Sequence, residues 1–218
     1  MIKPFKWGKL VLSGSIVLWA LVFSVQTVSA ASKLATIATP APLMTLWKTL
    51  KSAVKEDRQI VSRCNADLDH CSSLAARRFI AIVEDGSAYE GLSRIGHINR
   101  AVNFSIRVTS NGSPEKWYSP LSALARGTGD CKQFALLKYA ALSAVGYSAD
   151  DLRILIVEDK TFYRPHAVVA VLEGTRWLVL NNRSLAIVEL DDFLNYYRSL
   201  GPLSPDNLLE FAQQDDRY

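Results

Sequence analysis

Two apolar periods divide the chain. From Leu46 to about Ile60, apolar side chains at Leu46, Trp47, Leu50, Ala53, Val54 and Ile60 predict a helix with a narrow buried stripe. Ser72–Glu84 predicts a second helix, with Leu74, Phe79, Ile80 and Val83 inward and Gly86 as its stop. Tyr89–Val102 predicts a third through Leu92, Ile95, Ile98 and Val102. The segment 103–120 reads as loop and short extended structure, broken by Asn111-Gly112, Pro114 and Pro120. Leu121–Arg126, a short turn, then leads into Gly127-Thr128-Gly129-Asp130-Cys131. Lys132–Val145 carries Phe134, Leu137, Ala141 and Val145 on one side and few polar residues elsewhere. Such a helix is buried nearly all round, and Gly146 stops it.

Beyond Gly146 the period changes. Leu152–Glu158, Ala167–Glu173 and Trp177–Asn181 are apolar, β-branched runs of strand length. The last two lie so close that they predict an antiparallel hairpin. An even loop such as 173–176 sets Leu172 opposite Trp177 and Val168 opposite Asn181. His166 and Asn181 then share one face as diagonal neighbours, whereas an odd loop gives that place to Asn182. Helices first and strands later imply an α+β fold.

The N-terminus has a different logic. Lys3, Lys6 and Lys9 precede a stretch from Leu10 to Ser32 without a charge, and Val28-Ser29-Ala30 offers a cleavage site. Residues 1–30 therefore read as a secretory signal peptide and 31–45, with Pro40 and Pro42, as a flexible leader to a domain over 46–218. The alternative is an uncleaved membrane anchor. Either outcome puts the domain outside the cytoplasm, in the periplasm for a bacterial chain. The formal charge of +4 comes largely from those three lysines among 25 Lys and Arg against 21 Asp and Glu. The remainder is nearly neutral and gives no reason to expect nucleic acid as a partner.

Three cysteines then matter in an oxidising compartment. Cys64 and Cys71 are close enough to close a small disulfide loop, which leaves Cys131 over. Asp130 stands where an N-cap belongs, so Cys131 opens the buried helix, where the helix end favours thiolate over thiol. Gly127 and Gly129 let a ligand approach the backbone, and amides at this turn are placed to bind an oxyanion. A base must come from His70, His97 or His166. His70 reads as a solvated turn residue inside the Cys64–Cys71 loop, and with those cysteines it lacks the ligands and spacing of a zinc site. His97 falls on the polar side of the third helix. His166 follows Pro165 and opens a buried strand, so it is the candidate base for Cys131. Asn181 would hold the imidazole by accepting its Nδ1 proton. Trp117 is a candidate wall of the cleft, with Gly129 and Asp130 beside the nucleophile.

Trp117…Pro120, Gly129-Asp130-Cys131 with Phe134-Ala135 and Lys138, His166-Ala167-Val168 and Leu180-Asn181-Asn182 resemble the bacterial transglutaminase-like cysteine proteinases, the LapG-type family. The paired cysteines ahead of Ile98-Asn99 and Val102-Asn103 continue the match, over roughly residues 60–200. The resemblance implies a papain-like α+β core in the periplasm and cleavage of large surface adhesins near paired alanines, which releases biofilm cells. It also implies Asp in the Leu-Asp-Asn motif, where this chain has Asn181. Calcium is implied too, through a Gly-Asp-Cys-Glu-Asp run. Here only Asp130 matches; Lys132 and Gln133 replace the acids, which argues against calcium dependence, and no other cofactor is expected. The expected reaction is peptide hydrolysis through a Cys-His-Asn thioester. The expected partners are a protein or peptide substrate and a membrane-bound regulator. Amidase or cross-linking acyl transfer by the same residues, and a catalytically silent peptide-binding module, are the alternative readings.

Overall fold

The computed structural model describes residues 41–109 and 117–202, with side chains described over 50–109 and 117–200. The segment read as a signal peptide lies outside the described residues, as do 31–40 of the leader. Among the described residues, no helix is long and apolar enough to cross a membrane.

Among the described residues, four helices precede the nucleophile: α1 (Ala41–Ala66), α2 (Leu74–Ser87), α3 (Gly91–Ser105) and α4 (Pro120–Arg126). Helix α1 starts inside the stretch read as leader and runs further at both ends than its stripe predicts, up to the Cys64–Cys71 disulfide. Ser73 caps α2 by accepting the Ala76 amide hydrogen. Gly86 does not stop α2 as expected but lies inside it, buried. A Cβ there would stand 2.4 Å from Ile98 Cδ1, so its missing side chain is what lets α2 and α3 pack closely.

Helix α5 (Cys131–Ala144) is buried almost all round, with Phe134, Leu137, Ala141 and Leu142 essentially inaccessible. Gly146, with φ +103°, supplies the left-handed turn that ends this region, as predicted. The strands follow: β3 (Leu152–Asp159), β4 (Pro165–Glu173) and β5 (Arg176–Leu180), then β6 (Val188–Glu189), helix α6 (Leu190–Tyr196) and β7 (Tyr197–Pro202). Two further short strands, β1 (Arg107–Val108) and β2 (Thr128–Gly129), pair in parallel ahead of α5.

The main sheet has the order β6-β5-β4-β3-β7, every neighbouring pair antiparallel. Alternation along β4 explains its layers. Ala167, Val169 and Val171 join Ile154, Leu178 and Leu180 in the large core that contains α5. Val168 and Ala170 face the other way, into a smaller cluster with Leu155, Val157, Trp177, Val179 and the α6 residues Leu190 and Phe193. The fold is therefore α+β, a helical layer and a lone helix enclosing an antiparallel sheet. The hairpin register is the even one, with Leu172 opposite Trp177 and Val169 opposite Leu180.

Candidate active site

Local sequence builds the start of α5 tightly. Asp130 is extended, and its Oδ1 accepts the Lys132 amide hydrogen at 3.0 Å. In return Gln133 Oε1 accepts the Asp130 amide hydrogen at 3.0 Å, which completes a capping box and makes Cys131 the first helical residue. The turn before it is pinned to the end of α3, where Arg107 and Thr109 donate to the carbonyls of Gly127 and Gly129 at 3.0 and 2.9 Å.

The two glycines do a different job from the one the sequence suggests. Gly127 ends α4 in the left-handed region at φ 64°. At Gly129 an added Cβ would meet Gln133 Cβ at 2.7 Å and Ile106 Cδ1 at 3.1 Å. Gly127 satisfies a turn, and Gly129 a close approach of the protein to itself.

His166 occupies the second position of β4 and is only 3% exposed. Its Nε2 lies 2.9 Å from Asn181 Oδ1. This corrects the expectation of an Nδ1 contact. With Nε2–H donating to the amide oxygen, Nδ1 carries the lone pair and is the basic atom. Asn181 is itself buried and held at several points. Its Oδ1 also accepts the Arg183 amide hydrogen at 3.0 Å, and its carbonyl accepts from Asn103 Nδ2 at 3.1 Å. Asn103 and Asn99, one turn apart on α3, donate further to the carbonyls of Ser184 and Leu185. The loop after β5 is thus clamped from the helical layer. Asn182 is the neighbour that does not reach the imidazole; its buried Oδ1 finds no hydrogen-bond partner among the described residues.

Cys131 is half-buried and is the free cysteine among the described residues. The backbone amide of Ala167 is placed to hydrogen-bond its sulfur, and Ala167 directly follows His166. The nucleophile candidate therefore meets β4 one residue from the base candidate. Burial pushes the Cys131 thiol up; the Ala167 amide opposes this, Asp130 adds to it, and Lys132 and Arg183 work against it. Burial thus works against the resting thiolate expected from the helix start. Burial likewise lowers His166 to about 4 against the bond from Asn181, with the Arg183 charge acting in the same direction as burial. At neutral pH the resting pair is thiol and neutral imidazole.

Four neighbours of the site were assigned no role at it from the sequence, although Lys138 is among the residues that carry the resemblance. Tyr197 stacks on the His166 ring at 5.9 Å and on Phe193 at 4.2 Å. Arg183 pairs with Asp159 at 3.0 Å, and Asp159 in turn accepts the amide hydrogens of Thr161 and Phe162 across the β3–β4 turn. Lys138, two turns along α5 from Cys131, is fully buried, with no hydrogen-bond partner for its ammonium among the described residues. Of the other candidates, Trp117 packs half-buried against the large core. His70 is exposed and bonded to Asp67 at 2.8 Å, while His97 is half-buried and stacked on the exposed Tyr89 at 4.6 Å.

The acids that a calcium ion would need beside the nucleophile are not there. Asp130 Oδ2 is 2.6 Å from the Lys132 ammonium, and its other oxygen is used by the cap. A hard divalent cation needs several oxygen donors and would meet a fixed positive charge here, so these residues do not fit it. Among the described residues no cluster of three His, Cys, Asp or Glu side chains could hold a metal.

Residues 52–200 match the family model described as bacterial transglutaminase-like cysteine proteinase BTLCP. Among solved structures, LapG of Legionella pneumophila aligns with a TM-score of 0.55 at 19% identity, over 68% of this chain and 83% of that one. Its calcium-bound form aligns at 0.54 and 19%, over 70% and 84%. Its EGTA-treated form aligns at 0.53 and 20%, over 66% and 78%. At these identities the structures establish a common fold. No curated protein sequence matches the chain.

Proposed function

The chain belongs to the bacterial transglutaminase-like cysteine proteinases, and on that premise we propose that it hydrolyses a peptide bond in a protein substrate through Cys131, His166 and Asn181. The observation that carries this reading is the buried His166 Nε2 to Asn181 Oδ1 bond of 2.9 Å, one residue from the amide that meets the Cys131 sulfur. An imidazole so held keeps Nδ1 as its free basic atom and cannot rotate to present the other nitrogen.

Nδ1 of His166 takes the Cys131 proton as the sulfur attacks the substrate carbonyl, so charge separates during attack and not before it. Backbone amides at the start of α5 stabilise the oxyanion. The imidazolium then protonates the leaving amine, and water assisted by His166 hydrolyses the thioester. Asn181 fixes the ring and offers a dipole to the imidazolium, which is weaker support than a carboxylate would give.

The N-terminal segment read as an export signal and the family premise support a periplasmic enzyme acting on a surface adhesin. The test compares cells carrying wild-type protein with cells carrying Cys131→Ser for release of adhesin. The wild type is expected to release it and the variant to retain it. Equal release from both would overturn the reading.

A further inference from the structure

We infer that Lys132 is the internal cation of this site, a tethered ammonium seated on Asp130 beside Cys131 where the calcium implied by the family resemblance would otherwise offset the same carboxylate.

Each oxygen at the start of α5 is already committed within the chain. Asp130 Oδ1 holds the Lys132 amide, Asp130 Oδ2 holds the Lys132 ammonium at 2.6 Å, and Gln133 Oε1 holds the Asp130 amide. The pair is well shielded, with the Lys132 and Asp130 side chains 12% and 15% exposed. Gln133 is itself 2% exposed, and Gly129 is kept free of a side chain by the position of Gln133 Cβ. The turn is built around this arrangement.

A lysine in the first turn is the wrong sign for the helix, whose N-terminal end carries partial positive charge. Burying an ammonium adds a desolvation cost. Helix stability alone therefore gives no reason for Lys132 to stand there. Its effect on the nucleophile does. Asp130 opposes ionisation of Cys131, and Lys132 favours it. Paired with the ammonium, the capping carboxylate can organise the turn without repelling the sulfur's negative charge as it develops. Lys132 is in this sense a positioning residue that acts through Asp130, and it does so at any calcium concentration.

The full mature chain supplies the test, with calcium chloride and EGTA as probes. Calorimetric titration with calcium is expected to give no saturable heat, and the melting temperature and peptidase rate are expected to be equal in millimolar calcium and in EGTA. Saturable binding that raises the melting temperature of the wild type would overturn the inference. Lys132→Glu combined with Gln133→Asp is expected to bind calcium and to melt several degrees higher with it; a folded double variant blind to calcium also counts against the inference. Lys132→Met is expected to lower kcat about tenfold with KM little changed, and to move the midpoint of Cys131 alkylation to higher pH, with Lys132→Arg restoring most of both. An unchanged alkylation profile in Lys132→Met would overturn the role at the nucleophile. The kcat readout rests on the proposed peptidase activity, whereas the calcium and alkylation readouts do not, so the two readings fail separately.

Discussion

His166 keeps its proton affinity low because it is enclosed. Tyr197 covers its ring, burial disfavours the imidazolium, and the Arg183 and Lys138 charges oppose it further. A group that binds protons more weakly folded than unfolded makes stability rise with pH between its two pKa values. Folded His166 titrates at about 4 against 6.5 for the free side chain. Stability is therefore expected to be complete above about pH 6.5 and to fall by about 3 kcal/mol on acidification to about pH 4. Asn181→Asp tests the cause, because a carboxylate favours the imidazolium where an amide does not. The variant is expected to lose less stability across that window in pH-dependent urea melts, and its acid limb of activity is expected to move to higher pH. Superimposable profiles for the two proteins would show that Asn181 does not govern the imidazole.

At the scale of elements, each capping and packing device around α5 serves the position of one sulfur. Gly129→Ala puts a Cβ against Gln133 Cβ, which cannot swing away as a side-chain tip would. The capping box must then open, and Cys131 shifts with it. Turnover is expected to slow by about tenfold or more, following the sensitivity of attack to small displacements, with a stability loss of only about 1 kcal/mol for the weakened cap. Gly86→Ala makes the contrasting case. It crowds Ile98 between α2 and α3, away from the reaction, and should cost about 1–3 kcal/mol while turnover stays unchanged. Thermal melts and initial rates on both variants separate the two roles. These pairs also show what the sequence could convey. The period of α5, the N-cap at Asp130 and the even hairpin register are local patterns, and the chain displays them. Gly86 and Gly129 resemble a helix stop and a ligand loop in sequence because their reasons, Ile98 and Gln133, are contacts that only the folded chain makes. Helix α6 and strand β6 are too short to show a period, and β7 lacks an apolar alternation; α6 covers the sheet's second face with Leu190 and Phe193, while β6 and β7 take the two edges of the sheet. Arg183, Asp159 and Tyr197 belong to the site only through contacts that the folded chain makes.

The whole molecule places α5 between a helical layer and a sheet, and this position makes a charge on it expensive. Lys138 sits there with 1% exposure, no hydrogen-bond partner among the described residues, and a pKa lowered by burial to about 7. An unfolded lysine holds its proton up to about 10.4, so between pH 7 and that value the unfolded chain binds more protons than the native one. Stability is consequently expected to climb with pH through this range, as it does for His166 in its own, more acidic window. The full span corresponds to about 5 kcal/mol. Replacing the amine by an apolar side chain of similar length removes both the desolvation cost and the pH dependence. Lys138→Met is therefore expected to be more stable than the wild type by about 1–4 kcal/mol at pH 7, and its urea midpoint should be flat from about pH 7 to about pH 10. The Cys64–Cys71 disulfide supplies a reference on the same melts, since replacing both cysteines by serine should cost about 2 kcal/mol at every pH, as expected for a short closed loop. A Lys138→Met protein that keeps the wild-type slope would mean that the buried amine is not the group that titrates. If it is more stable but slower in turnover, the chain tolerates the destabilising amine because its charge helps keep the His166 imidazole unprotonated and ready to accept the thiol proton.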